Sequence, residues 1–240
     1  MKYSYHSQDS FIIYFDILSY KNIVLGNNTR DINDLRQLIL DLDIPESIIY
    51  QFFNPEIFKT NIYRKSFSDN FLYVIPRKFR GDKEDAEILK ACCFLATFLQ
   101  GLAIKKGYLL RGSIVYGELE INKNILFGKG IVEAYELESS HNKPNIVLSS
   151  NLKKIYNANK FHELDILSPF NSGGKNYKSA SGFLKGIQKM INRINEYPIV
   201  DDSIIKKYEY LIEEFNRFFQ GVYPKQKLNS KPGYYEIICI

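Results

Sequence analysis

Two aspartates stand where strand-forming sequence has little use for a charge. Asp16 ends the apolar run FIIYF, and Asp69 lies in FSDNFLYV between two β-forming stretches. Carboxylates brought to one rim of a sheet repel each other unless a cation lies between them. Mg²⁺ and Mn²⁺ are the ions that take carboxylate oxygens together with phosphate. The Ile17 carbonyl offers a further ligand, and the amides of Leu18 to Lys21 offer donors for a polyphosphate. The chemistry implied is phosphoryl transfer with two metal ions. A plainer use of the same residues is Asp16 as a helix cap and Asp69 as a turn residue.

For the two carboxylates to meet, the first strand must neighbour the hairpin that carries Asp69. Residues 11–15 read as a strand buried on both faces, and residues 63–75 as two strands joined at SDN. DAEILKACCFLATFLQGLAIKKG is a helix stopped by Gly107. YLLRGSIVYGELEI, residues 108–121, is expected to form a strand pair, with Gly112 and Gly117 marking bulges or close backbone approach. FGKGIVEAYELESS then reads as a helix and PNIVLSS as a short strand. The order predicts an α/β fold with a ferredoxin-like βαββαβ core over residues 1–167. From Ser168 the Gly/Ser/Asn-rich SPFNSGGKNYKSASG is expected to be a loop. Two helices follow it, FLKGIQKMINRINEY and SIIKKYEYLIEEFNRFF, separated by Pro198. They make residues 168–240 a C-terminal helical hairpin appended to the core, with GYYEIICI as an edge strand.

Composition narrows the function classes. At 240 residues and 45% hydrophobic the chain can build one sizeable core, and a net charge of +5 is too diffuse to argue for nucleic acid. Cys92, Cys93 and Cys239 lack metal-ligand spacing, which suits a reduced, cytoplasmic protein. MKYSYHSQDS has no apolar signal-peptide core, and no stretch is expected to reach bilayer-spanning length. His6, His141 and His162 are scattered without a positioned partner, and Ser139 and Ser140 follow no nucleophile elbow.

Four ordered segments carry a resemblance. FDILSYKN is similar to the F-D-I-x-G-F motif of class III nucleotide cyclases, and KSFSDNFLYV to their K-x-x-G-D segment, with Ser68 at the glycine. LRGSIVYGEL resembles their R-x-G-I-x-x-G-x-V strand, and LFGKGIVEAYELESS their W-G-x-x-V-N-x-A-x-R-M-E-S helix. The resemblance implies a cyclase domain in which Asp16 and Asp69, with the Ile17 carbonyl, bind two Mg²⁺ or Mn²⁺ ions. Phe15 and Leu18 to Lys21 would then line the nucleotide site, with Arg111 near the triphosphate. It also implies a homodimer, because family members build each site between two such domains.

The pattern is broken at the helix, where Val132 and Glu136 occupy the family's Asn and Arg positions. Neither can donate a hydrogen bond to a phosphate, which leaves Lys129 or Arg111 to supply that charge. Lys65 matches the family's base-reading lysine, but Ile125 stands at its aspartate and cannot accept from an adenine amino group. The expected reaction is therefore a pyrimidine triphosphate, UTP or CTP, converted to a 3′,5′-cyclic nucleotide and pyrophosphate. The segments also resemble the Pycsar branch, which implies a product that activates a downstream effector in antiphage defence. The rivals are a degenerate cyclase-like module that binds nucleotide or protein without turnover, and a polymerase-palm-like oligonucleotide synthase.

Overall fold

The run of Phe, Ile and Tyr in the first strand, β1 (Ser7–Ile17), is buried on both faces at the centre of a sheet. The computed structural model describes residues 7–26, 28–43, 62–77, 81–121, 126–164, 166–196, 201–231 and 234–240. The sheet order is β2 (Tyr63–Phe67), β3 (Asn70–Pro76), β1, β4 (Leu110–Ile121), β5 (Leu126–Phe127), with β6 (Ile146–Leu148) beside β4. β1 pairs antiparallel with β3 and β4, β2 pairs antiparallel with β3, and β6 runs parallel to β4. The 2-3-1-4 order is that of the ferredoxin-like βαββαβ core expected for this α/β chain.

Alternation along β1 divides the interior. Phe11, Ile13, Phe15 and Ile17 face helices α2 (Thr29–Leu42) and α3 (Asp82–Lys106), packing with Leu38, Leu89 and Leu99. A short helix, α1 (Tyr20–Leu25), connects β1 to α2. Ile12 and Tyr14 face the other side, with Val74, Val115 and Ala134 of helix α4 (Lys129–Ser139). Two glycines set the distance of α4 from the sheet: a Cβ on Gly117 would fall 2.8 Å from the Gly130 Cα. The following helix, α5 (Ser150–Ala158), returns to the α3 side through Leu152.

Four sequence expectations about the fold are corrected. Residues 110–121 form one strand of 12 residues, not a pair; Gly117 marks a helix contact and no chain reversal. KSAS is the start of helix α6 (Tyr177–Ile194), not loop, because the Asn176 side chain accepts from the Ser179 amide and caps it. α3 is also long and apolar enough to cross a membrane by length and composition, contrary to expectation. Its apolarity has a packing cause, since it is wedged between the sheet and α6.

Helix α7 (Asp202–Phe218) is capped by Asp201, whose carboxylate accepts from the Ser203 amide; Pro198 lies outside the described residues. GYYEIICI does not edge the main sheet. Strand β8 (Tyr234–Cys239) pairs instead with β7 (Gln226–Lys231) in a separate two-stranded sheet. Two asparagines fasten that hairpin to the helices: Asn195 exchanges hydrogen bonds with the Tyr235 backbone, and Asn216 with that of Gln226, all at 2.8 Å. An aromatic cluster of Phe170, Phe183, Phe215 and Phe219 joins α6 and α7, and it continues through Ile104 and Leu109 into the core.

α6 can approach α3 this closely only without a side chain at the crossing. A Cβ on Gly186 would fall 1.8 Å from the Ile104 carbonyl oxygen. Gly186→Ala should therefore destabilise the protein by about 2 kcal/mol in urea unfolding, since overpacking outweighs the roughly 1 kcal/mol helix-propensity gain. An increase in stability would show that the crossing relaxes freely.

Candidate active site

The row Asn70–Asp16–Arg111 runs across β3, β1 and β4 at one rim of the sheet, on the α4 side. Directly opposed residues of antiparallel strands share a face, so these three side chains are neighbours by register alone. The turn Ser68–Asp69 closes the β2–β3 hairpin beside them, and the Asp69 carbonyl accepts from the Ile17 amide at 3.0 Å. Asp16 and Asp69 thus converge, with their carboxyls within hydrogen-bonding reach of each other. Burial pushes the Asp16 carboxyl up to about 7, and the charges of Glu138 and Asp69 push in the same direction against the opposing pull of Arg111.

Arg111 is a clamp. Its Nε donates to buried Glu138, one Nη donates to the His141 carbonyl at 3.0 Å, and the other lies 3.5 Å from Asp16. The guanidinium therefore ties β1, β4 and the C-terminal end of α4 together, its Nε and one Nη each donating a hydrogen bond.

Three residues that sequence reasoning passed over complete the rim. Glu138 belongs to AYELESS, where helical spacing puts it on the same face as Ala134 and Ile131, a usable signal. Asn70 donates to the Asp69 carboxylate at 3.1 Å and accepts a short hydrogen bond from the Tyr14 hydroxyl. Burial, then Glu138 and Asp16, push the Tyr14 phenol far up, so it stays a donor. Tyr14 sits two residues before Asp16 and hence on its face, a signal that the alternation carries.

The loop after Asp16 departs from expectation in one respect. The Leu18 amide donates to the Leu109 carbonyl at 3.0 Å, so it is not available to a phosphate. Ser19 caps α1 in the left-handed region at φ 68°, and Tyr20 and Lys21 follow as the first helical residues. Ser68 has φ 60°. Both serines therefore occupy the backbone conformation that glycine adopts freely, at the positions where the resemblance has glycine. Phe15 is buried on the α3 face and not at the rim.

Lys65 lies on the exposed edge strand, opposite Leu72 and so on the α4 face. Lys129 opens α4, while Glu138 near its other end marks the aspartate rim; nine helical residues, roughly 13 Å, separate the two. The structure does not bring Lys129 to the aspartates within one chain. Val132 and Glu136 are exposed on α4, and Ile125 lies outside the described residues. Among the described residues no group of three or more His, Cys, Asp and Glu is arranged to hold a metal ion. The donor set at the rim is a carboxylate pair with backbone oxygens.

Removing one partner of the clamp leaves a buried charge. Glu138 is 2% exposed, so Arg111→Met should cost about 3 kcal/mol, and adding Glu138→Leu should recover most of the loss in a double-mutant cycle. Relief of left-handed strain, roughly 1–2 kcal/mol, exceeds the entropic penalty of roughly 0.5–1 kcal/mol, so Ser68→Gly should raise stability modestly in urea. A fall in stability would contradict the strained turn.

No family model and no curated protein matches the chain. Among solved structures it is similar to the guanylyl cyclase Cya2, at 11% identity over 63% of this chain and 79% of that one, TM-score 0.46. It is similar also to the catalytic core of a rhodopsin-guanylyl cyclase with converted specificity in complex with ATPαS. That likeness covers 63% of this chain and 82% of that one, at 16% identity and TM-score 0.46. A class III adenylyl cyclase-like ATP-binding protein from Pseudomonas aeruginosa is similar at 14% identity and TM-score 0.42, over 65% of this chain and 37% of its own.

Proposed function

We propose that this chain is a nucleotide cyclase that converts a nucleoside triphosphate, UTP or CTP in preference to ATP, into a 3′,5′-cyclic nucleotide and pyrophosphate. The observation that carries the reading is the meeting of Asp16 and Asp69 at one rim, beside an arginine already committed to Glu138. Two like charges held together with one carboxyl near neutral pKa are what a divalent cation would relieve. Their hard oxygen donors suit Mg²⁺ or Mn²⁺.

Asp16, Asp69 and the Ile17 carbonyl would hold the ions. When bound, these ions would supply charge neutralisation for the triphosphate and acidify the ribose 3′-hydroxyl. The chain itself positions. Arg111 and Asn70 fix Asp16 and Asp69 so that no reorganisation is needed when charge develops at the α-phosphorus. The amides of Ser19, Tyr20 and Lys21, next to Asp16 in the chain, would donate to the phosphates. The absence of a carboxylate at Ile125 disfavours adenine, and Lys65 remains to contact another base.

In this reading residues 1–167 are the catalytic domain and residues 168–240 an extension of it. Two copies would associate through the α4 side of the sheet, where Phe67, Val132 and Tyr135 are exposed. A cytoplasmic setting, with the product signalling to an effector in antiphage defence, is part of the proposal. A second reading is favoured by Val132 and Glu136, which cannot steady a transition state: a module that binds nucleotide without turnover.

Incubation with each of the four NTPs and Mn²⁺, with products resolved by mass, separates the readings. A cyclic monophosphate is expected from UTP or CTP, and none from any NTP leaves the binding module. Asp69→Ala should abolish product while changing stability by no more than about 1 kcal/mol, since it loses one hydrogen bond but relieves repulsion with Asp16. Mn²⁺ should raise the unfolding temperature of the wild type but not of Asp69→Ala. Equal shifts in both would place the metal elsewhere.

A further inference from the structure

A polyphosphate entering beside Asp16 and Asp69 adds several negative charges to two carboxylates. Arg111 is bound to Glu138 and to the His141 carbonyl, and Lys129 stands at the far end of α4. We propose that Lys207, presented by α7 from the C-terminal extension, is the cation that contacts the polyphosphate of the substrate at this rim. The proposal deepens the nucleotide-cyclase reading and rests on it.

Two anchors on either side of Lys207 place α7 against the site. Tyr208, its neighbour, lines a small cavity together with Leu18 and Ser19, the residues that follow Asp16. Leu18 also packs on the aromatic cluster that contains Tyr208 and Leu211. One turn further along, Tyr210 meets the loop leading into β6. It lines a pocket with Pro144 and Asn145, and the Lys143 ammonium sits 4.8 Å from its ring centre.

Glu214 and Arg217 line that same pocket, so residues 207, 210, 214 and 217 form one stripe of the helix, aimed at the loop of residues 141–146. Arg111 is bonded to that loop through His141, and the Asn145 carbonyl accepts from the Gly112 amide at 3.2 Å. Extended one turn toward its start, the stripe brings Lys207 between the loop and Leu18, which is where Asp16 and Arg111 lie.

The charges agree with this placement. Burial and the like charge of Arg111 push the Lys207 ammonium down, while Asp201 and Asp16 pull it up. A half-buried lysine under the influence of a second cation is held at a cost, and an anionic ligand would offset it. The extension thereby offers in cis a positive group that α4 lacks at Val132 and Glu136.

The test uses the full chain in four forms: wild type, Lys207→Met, Lys207→Gln and Lys207→Arg. Calorimetry measures affinity for inorganic tripolyphosphate with Mg²⁺, and turnover is followed with each of the four NTPs. Lys207→Met and Lys207→Gln should bind tripolyphosphate at least tenfold more weakly, with an unfolding temperature equal to or above that of the wild type because repulsion from Arg111 is gone. Lys207→Arg should bind within about threefold of the wild type.

Unchanged affinity in the two neutral variants, or a loss that Lys207→Arg does not recover, overturns the proposal. So does wild-type protein that fails to bind tripolyphosphate. Binding that depends on Lys207 without cyclic product from any NTP upholds the role of the lysine and removes the cyclase reading alone.

Discussion

The antiparallel register of β1 with β3 and β4 puts Asn70, Asp16 and Arg111 in one row, and everything at the candidate site follows from that row. A one-residue slip of β1 would send Asp16 to the opposite face, against apolar side chains such as Leu38 and Leu99. The slip is opposed by the apolar residues that alternate ahead of it, because each half of the β1 run fills a different core. The charge is thus held in place by hydrophobic burial on both sides of the strand that carries it. The Arg111–Glu138 pair then fixes the distance between sheet and α4 at this end, as Gly117 and Gly130 do further along.

The aspartates were legible in the sequence because each contradicts its immediate surroundings. The order of strands and helices was legible because periodicity is local. What escaped depended on register or on distant packing. Tyr14 shares the Asp16 face by alternation alone, but Asn70 becomes a site residue only when strands align, and Glu138 only when α4 is laid across β4. Residues 108–121 read as a strand pair because 14 residues with two glycines look long for one strand. The close backbone approach read at Gly117 is the contact with Gly130. Strand β7 was missed since QKLNSK is polar and lacks alternation; its stability comes from Asn216 and its pairing with β8.

The site also shows how substitutions can preserve geometry at a cost. Ser19 and Ser68 hold left-handed backbone that glycine would adopt without strain, and both flank the aspartates. Strain at these two residues is held by the hydrogen bonds around them, which over-determine the turns: Ile17 to the Asp69 carbonyl, and Leu18 to the Leu109 carbonyl. The loop is thereby stiff where it leaves β1.

The aromatic cluster shared by α6, α7, Ile104 and Leu109 carries a lesson for the ancestry of such proteins. Halves that share apolar contacts at Ile104 and Leu109 cannot be exchanged like beads on a string. A recombination event that brought in a foreign C-terminal segment would have to match Phe170, Leu109 and the crossing at Gly186 at once. Lineages carrying this architecture should therefore inherit it whole.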